Sequence, residues 1–258
     1  GIESTYRCRR RHDPTTGGSM SSLIAVGIGN TTVKLGVLDE ATHQWQLQHE
    51  WETSNFDQGN LATELPNEPC LWRVASVHRP AEQELHAWQQ SARPNDNYAV
   101  LSHDQLPLKI DVDFPERVGM DRLIAAVATN ELRDANRPAI IVDAGTAITV
   151  DLVDADGVFQ GGVILPGFRL SARALADGTD LLPNVDSTFR TEAPSVIGKS
   201  TDAAIRSGLF WGGVGAIREL VSRTAKEINT EPQIFVTGGD AERLTDYLAE
   251  DAQFVFDL

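Results

Sequence analysis

Apolar residues recur along this chain in two rhythms, one of period two and one of period near 3.6. The run Leu23–Val26 enters a turn, Gly27-Ile28-Gly29-Asn30-Thr31-Thr32, and leaves it as the alternating segment Val33–Leu38. That pattern predicts a β-hairpin. Trp45–Trp51 continues as a third strand, Asn55–Asn67 is polar with a short helix, and Trp72–Val77 is a fourth strand. Pro80 opens a run of good helix formers that predicts a helix to Ala92. Ala99–Leu101 is a short strand, Leu106–Pro115 is extended, and Asp121 to about Ala135 is helical.

The pattern then starts again. Ile140–Asp151 reads IIVDAGTAITVD, an apolar run, a Gly-Thr turn and a returning apolar run. Strands follow through Val150–Val153 and Val158–Ile164, then a helix over Phe168–Ala176 and a polar loop from Leu181 to Lys199. One or two helices fill Ser200–Ile228, Ile234–Val236 is a strand, Ala241–Leu248 a helix and Phe254–Phe256 a last strand. Both halves thus begin with strand, Gly/Thr turn and strand. The repeat predicts an α/β protein of two similar lobes with a cleft between them. One mixed domain with two coincidental hairpins is the alternative. The chain divides into a leader or remnant at 1–19, an N-terminal lobe at 20–136 and a C-terminal lobe at 137–258.

Composition narrows the partners. The formal charge is −15 in 258 residues. Residues 1–20 hold four Arg against Glu3 and Asp13, so the remainder carries −17. Such a charge argues against nucleic acid or a membrane surface as a partner, and makes an anionic substrate dependent on local cations or backbone donors. Cys8 and Cys70 are the only cysteines, which implies no disulfide framework and fits a reducing, cytoplasmic setting. No apolar run reaches the length of a membrane span. The basic knot Arg7–Arg11 and the turn-rich stretch 13–19 lack the apolar core of a signal peptide, and Met20 offers a natural start.

Three stretches offer chemistry. Gly27–Lys34 can form a nest of backbone N–H groups for an anion. It lacks the spacing of a P-loop, and a Gly-Asn hairpin also arises for purely structural reasons. Asp143 ends a buried strand, where a carboxylate needs a cation or a donor; with Gly145 and Thr146 it suits a phosphate and its metal, or it merely satisfies its own turn. Gly119-Met120-Asp121-Arg122 opens a helix. There Asp121 either complements the helix dipole or accepts a hydroxyl proton, and Arg122 is either solvated or grips a carboxylate.

Taken together, these stretches resemble the type III pantothenate kinases, of the superfamily that includes acetate and sugar kinases, heat-shock ATPases and actin. The matching pieces are GNTTVKLG at 29–36, ASV at 75–77, PERVGMDR at 115–122, VDAGTAITVD at 142–151, GGVILPG at 161–167, KSTDAAIRSG at 199–208 and TGGDA at 237–241. The resemblance implies two ribonuclease-H-like lobes with a nucleotide cleft between them. It implies transfer of the γ-phosphoryl group of ATP to the hydroxyl of pantothenate, the first step of coenzyme A synthesis, by a homodimer using Mg²⁺ and a monovalent cation, K⁺ or NH₄⁺. Residue by residue, Asp121 is then the base, and Gly119, Met120 and Arg122 complete the pantothenate site, with Arg122 a partner for its carboxylate. Thr201 matches a pantothenate-contacting threonine that is reached from the dimer partner. Gly27, Ile28, Gly29, Asn30, Thr31, Thr32, Val33 and Lys34 hold the ATP phosphates, Thr146 touches ATP, and Asp143 binds the monovalent cation.

Two positions depart from the family's pattern. Gly27 stands where an Asp normally opens the first phosphate loop. Loss of a metal-positioning carboxylate costs about 3–6 kcal/mol of transition-state stabilisation where it is needed. Val112 stands where many members have a tyrosine lining the pantothenate pocket, with Phe114 available to fill that space. The expectation is a kinase, since Asp121, Arg122, Asp143, Thr146 and Thr201 are all retained. The competing readings are a catalytically impaired paralogue acting as a nucleotide-binding regulatory factor, and a kinase for another small hydroxyl compound.

Overall fold

The computed structural model describes residues 22–39, 44–56, 59, 61–185, 193–249 and 252–255. The leader, Met20, Phe256 and part of the loop expected over 181–199 lie outside the described residues. Two five-stranded sheets organise the rest. The first contains β1 (Leu23–Ile28), β2 (Thr32–Asp39), β3 (Gln44–Glu52), β4 (Leu71–Ser76) and β5 (Asn97–Val100), in the order β3-β2-β1-β4-β5. The second contains β6 (Ala139–Ala144), β7 (Ala147–Val153), β8 (Phe159–Pro166), β9 (Gln233–Thr237) and β10 (Gln253–Phe254), in the order β10-β9-β6-β7-β8. Each sheet has an antiparallel three-strand meander with two parallel strands added beyond its first strand. The repeat of hairpins is therefore a repeat of topology, and the two lobes expected from it are present.

Six helices were assigned among the described residues: α1 (Leu61–Glu64), α2 (Arg79–Ala92), α3 (Met120–Leu132), α4 (Phe168–Asp177), α5 (Thr201–Glu227) and α6 (Ala241–Leu248). The stretch expected to be one or two helices is a single helix, α5, capped by the Ser200 hydroxyl, which accepts from the Ala203 N–H. Its four interior glycines do not break it, because burial of Ile205, Phe210, Val214 and Ile217 along one stripe outweighs the poor propensity of Gly. Strand β5 is also longer than the three residues expected, pairing Asn97–Val100 with Leu71–Val74.

Each lobe has its own core. In the first, Ile24, Val26 and Ile28 alternate with outward residues and pack with Val33, Leu35, Trp72 and Leu85. Strand β6 is covered on both faces, as its nearly continuous apolar sequence implies. Ile140 and Val142 face α5 and α6, while Ile141 faces α3. Helix α3 touches both sheets, and Leu123 fixes it in a separate apolar layer with Ile141, Val153 and Phe159. That layer sets the height of the helix start, and hence of Asp121, against the second sheet. Leu123 is fully buried, so Leu123→Ala is expected to lower stability by about 2–5 kcal/mol, read from urea unfolding.

Candidate active site

The two hairpin turns come together. Thr31, in the turn between β1 and β2, and Thr146, in the turn between β6 and β7, share a hydrogen bond of 2.5 Å between their hydroxyl oxygens. These residues are 115 positions apart in the chain. The first turn is tied internally, with the Gly29 N–H donating to the Thr32 carbonyl at 2.8 Å. It is braced by Thr53, whose hydroxyl donates to the Gly29 carbonyl and whose N–H donates to the Thr31 carbonyl. Carbonyl oxygens that would repel a phosphate are thereby turned into the protein. Lys34 lies directly across from Gly27 in the β1–β2 register, so both belong to the same face of the hairpin.

Gly27 is exposed, and a Cβ built there meets nothing within 4 Å. The structure therefore has room for the carboxylate that the sequence lacks. Val112 packs partly buried beside the α3 layer, against Gly161. Phe114 does not occupy that space: it is more than half exposed and lies under the Arg117 guanidinium, 4.6 Å from the ring centre.

In the second turn, Asp143 is the last inward-facing carboxylate of β6. Burial pushes its pKa up to about 6; the charges of Asp121 and Asp151 add to the shift, and Lys34 opposes it. Gly238, at φ +98°, follows β9 and lies so close that a Cβ would sit 2.4 Å from the Asp143 carboxylate. A side chain there is thus excluded by both backbone conformation and space. The Asp240 N–H donates to the Ala144 carbonyl and completes the brace. A half-desolvated carboxylate kept short of positive charge is suited to a cation. No group of three or more His, Cys, Asp or Glu side chains among the described residues forms a ready-made metal cage.

Gly119 is the N-cap of α3, Met120 is buried, and Asp121 lies in the first turn, where its carboxylate accepts the Arg122 N–H at 2.8 Å. Arg122 is committed more deeply than the sequence suggests. Its Nε donates to both oxygens of Asp151 at 3.0 and 3.1 Å, and its Nη2 donates to one of them. Asp151 is a functional candidate that sequence reasoning missed, although it closes the VDAGTAITVD motif. Thr201 begins α5, and no hydrogen bond or ion pair among the described residues joins it to the Gly119–Arg122 turn. Within one chain the structure brings together the Gly27–Lys34 hairpin, Asp121, Asp143 and Thr146.

Two lobes of one topology, each presenting a Gly/Thr hairpin turn to the other, with carboxylates gathered beside them, define the actin-like ATPase fold. Within it, the chain belongs to the type III pantothenate kinase family: residues 23–223 match that family's profile. It is 41% identical over 186 residues to a type III pantothenate kinase of Rhodopirellula baltica, covering 71% of this chain and 66% of that one. It is 40% identical over 236 residues to that of Listeria innocua, covering 87% and 88%. To that of Desulfatibacillum aliphaticivorans it is 32% identical over 227 residues, covering 84% and 86%.

The Asp143 shift fixes a pH dependence. Its carboxyl binds a proton more tightly in the folded than in the unfolded chain, so its ionisation costs stability as pH rises from about 4 through 6, and the cost is complete above that range. Without added monovalent salt, Asp143→Asn is expected to raise stability at pH 7.5 by at most about 3 kcal/mol, and by much less at pH 5, in paired urea titrations.

Proposed function

We propose that this chain transfers the γ-phosphoryl group of ATP to the hydroxyl of pantothenate, the step that opens coenzyme A synthesis. The observation that carries the reading is the meeting of the two hairpin turns at Thr31 and Thr146, beside Asp121, in a member of this family. Phosphoryl transfer asks the protein mainly for position and charge compensation. Gly27 through Lys34 receive the phosphates from one lobe and Thr146 from the other. Asp121, exposed at the helix start, accepts the proton of the attacking hydroxyl. Mg²⁺ on the phosphates would supply charge neutralisation when bound, with the Gly27–Lys34 turn holding the phosphates that carry it. Asp143 receives the monovalent cation; its burial and its shortage of positive charge fit that role.

The working unit in this reading is a homodimer. Thr201, at the start of α5, contacts pantothenate from the second copy in this reading. Ile164 on the edge strand β8 is 62% exposed, with Val163 and Leu170 also exposed nearby in sequence, which suits such an interface. No described helix is long and apolar enough to cross a membrane, and the setting proposed is the cytoplasm. The lobe boundary is placed between residues 136 and 137.

Pantothenate-dependent ADP release in the presence of Mg²⁺ and K⁺ tests the reading directly; ATP consumption indifferent to pantothenate would remove it. Asp121→Asn is expected to lower kcat by about 10²–10⁴-fold with nucleotide affinity retained, in the same coupled assay. Because the space at position 27 is open, Gly27→Asp is expected to raise kcat by about 10–100-fold; an unchanged kcat would show that this enzyme orients its metal without that carboxylate.

A further inference from the structure

Asp151 stands in an unusual place for a carboxylate. It lies mid-strand in β7, paired with Ile141 on one side and Gly162 on the other, on the sheet face that α3 covers. Its neighbours in that layer are Ile141, Leu123 and Phe159, and only 2% of its surface is exposed. Packing alone would favour an apolar residue, because a buried ion pair is rarely worth more than hydrophobic side chains of similar volume. The surroundings nevertheless hold the pair closely. A Cβ on Gly162 would meet the Val150 carbonyl and the Asp151 backbone as well as the Asp151 carboxylate, so the neighbouring strand carries no side chain there. The Arg122 guanidinium also rests over the Phe159 ring, 5.6 Å from its centre.

The way Asp151 holds Arg122 matters. The bonds use Nε and Nη2, the side edge of the guanidinium. A guanidinium carries five N–H donors in a fixed plane, so the end edge, with Nη1, is not taken by Asp151. Held along one edge and from one face, the group loses its rotamer freedom before any ligand arrives. It sits one residue from Asp121, whose carboxylate caps the Arg122 N–H. We propose that Asp151 is a positioning residue: it fixes Arg122 so that the remaining edge of the guanidinium receives the substrate's carboxylate while Asp121 receives the substrate's hydroxyl. The assignment rests on the pantothenate reading above and adds to it the device that sets selectivity for a carboxylate.

The test compares pantothenate with its alcohol analogue, in which CH₂OH replaces the carboxylate and the reacting hydroxyl is unchanged. Wild type should prefer pantothenate. Asp151→Asn should reduce that preference by about 10–100-fold, the range for losing charge-assisted hydrogen bonds. The loss should fall mainly on the KM for pantothenate and be much smaller for the alcohol. Arg122→Met should show the same loss, and the double variant no more than Arg122→Met alone. Asp151→Glu, which keeps the charge and displaces the guanidinium, should also lose preference and provides the measurement if Asp151→Asn does not melt cooperatively. Equal losses on both substrates, an intact preference, or losses that multiply in the double variant would overturn the assignment. Wild type that turns over both compounds without preference would overturn it too, leaving the kinase in place. Wild type that neither binds nor phosphorylates pantothenate would remove the function itself, and calorimetry on the unmodified enzyme separates that case.

Discussion

Crowding of negative charge where the two sheets meet is the constraint on which the site depends. Asp121 and Asp151 both raise the proton affinity of Asp143, and Asp121 raises that of Asp151, in a chain that is already strongly acidic. Each is relieved differently. Asp151 has a buried arginine, Asp121 has a backbone N–H and the positive end of a helix, and Asp143 has only the distant help of Lys34. The least relieved of the three is the one with most to gain from a cation. In the proposed reading, the cations that accompany the nucleotide offset this excess of negative charge, which is how an acidic protein could receive a polyphosphate.

Topology converts that charge pattern into a site. In both sheets the hairpin joining the first two strands is the part that reaches the neighbouring lobe, so a duplicated fold presents two turns, one from each side. Helix α3 is the exception to the symmetry. Its apolar face, through Leu123, Ala125 and Ala126, is matched to the second sheet, yet it also touches β4 of the first. The same helix carries Asp121 and Arg122 at its N-terminus, which makes the placement of the proposed base a consequence of how the lobes pack.

Much of this was legible in the sequence, because it depends on local signals. Alternation before and after Gly27–Thr32 and Gly145 specified both hairpins, and their recurrence specified the two lobes. The candidate carboxylates at 121 and 143 announced themselves by standing at the edges of apolar elements. What escaped was the bond from Arg122 to Asp151, made across 29 residues and through a layer that no periodicity describes. Asp151 was visible as a polar interruption of a buried strand, which is itself a signal: such a residue has a partner elsewhere in the fold. The continuity of α5 escaped because glycine propensity and tertiary burial pull in opposite directions there, and burial prevails. Phe114 was expected to stand in for the missing tyrosine, but the three residues Pro115–Arg117 form a 3₁₀ turn that brings Arg117 over its ring and leaves it facing solvent.

The hydroxyl bond between Thr31 and Thr146 ties the two hairpin turns directly to each other. In the proposed reading, a phosphate that accepted a hydrogen bond from either hydroxyl would compete with that contact for the same atoms. Two short turns, 115 positions apart in the chain, thus join the two sheets through a pair of side-chain hydroxyls.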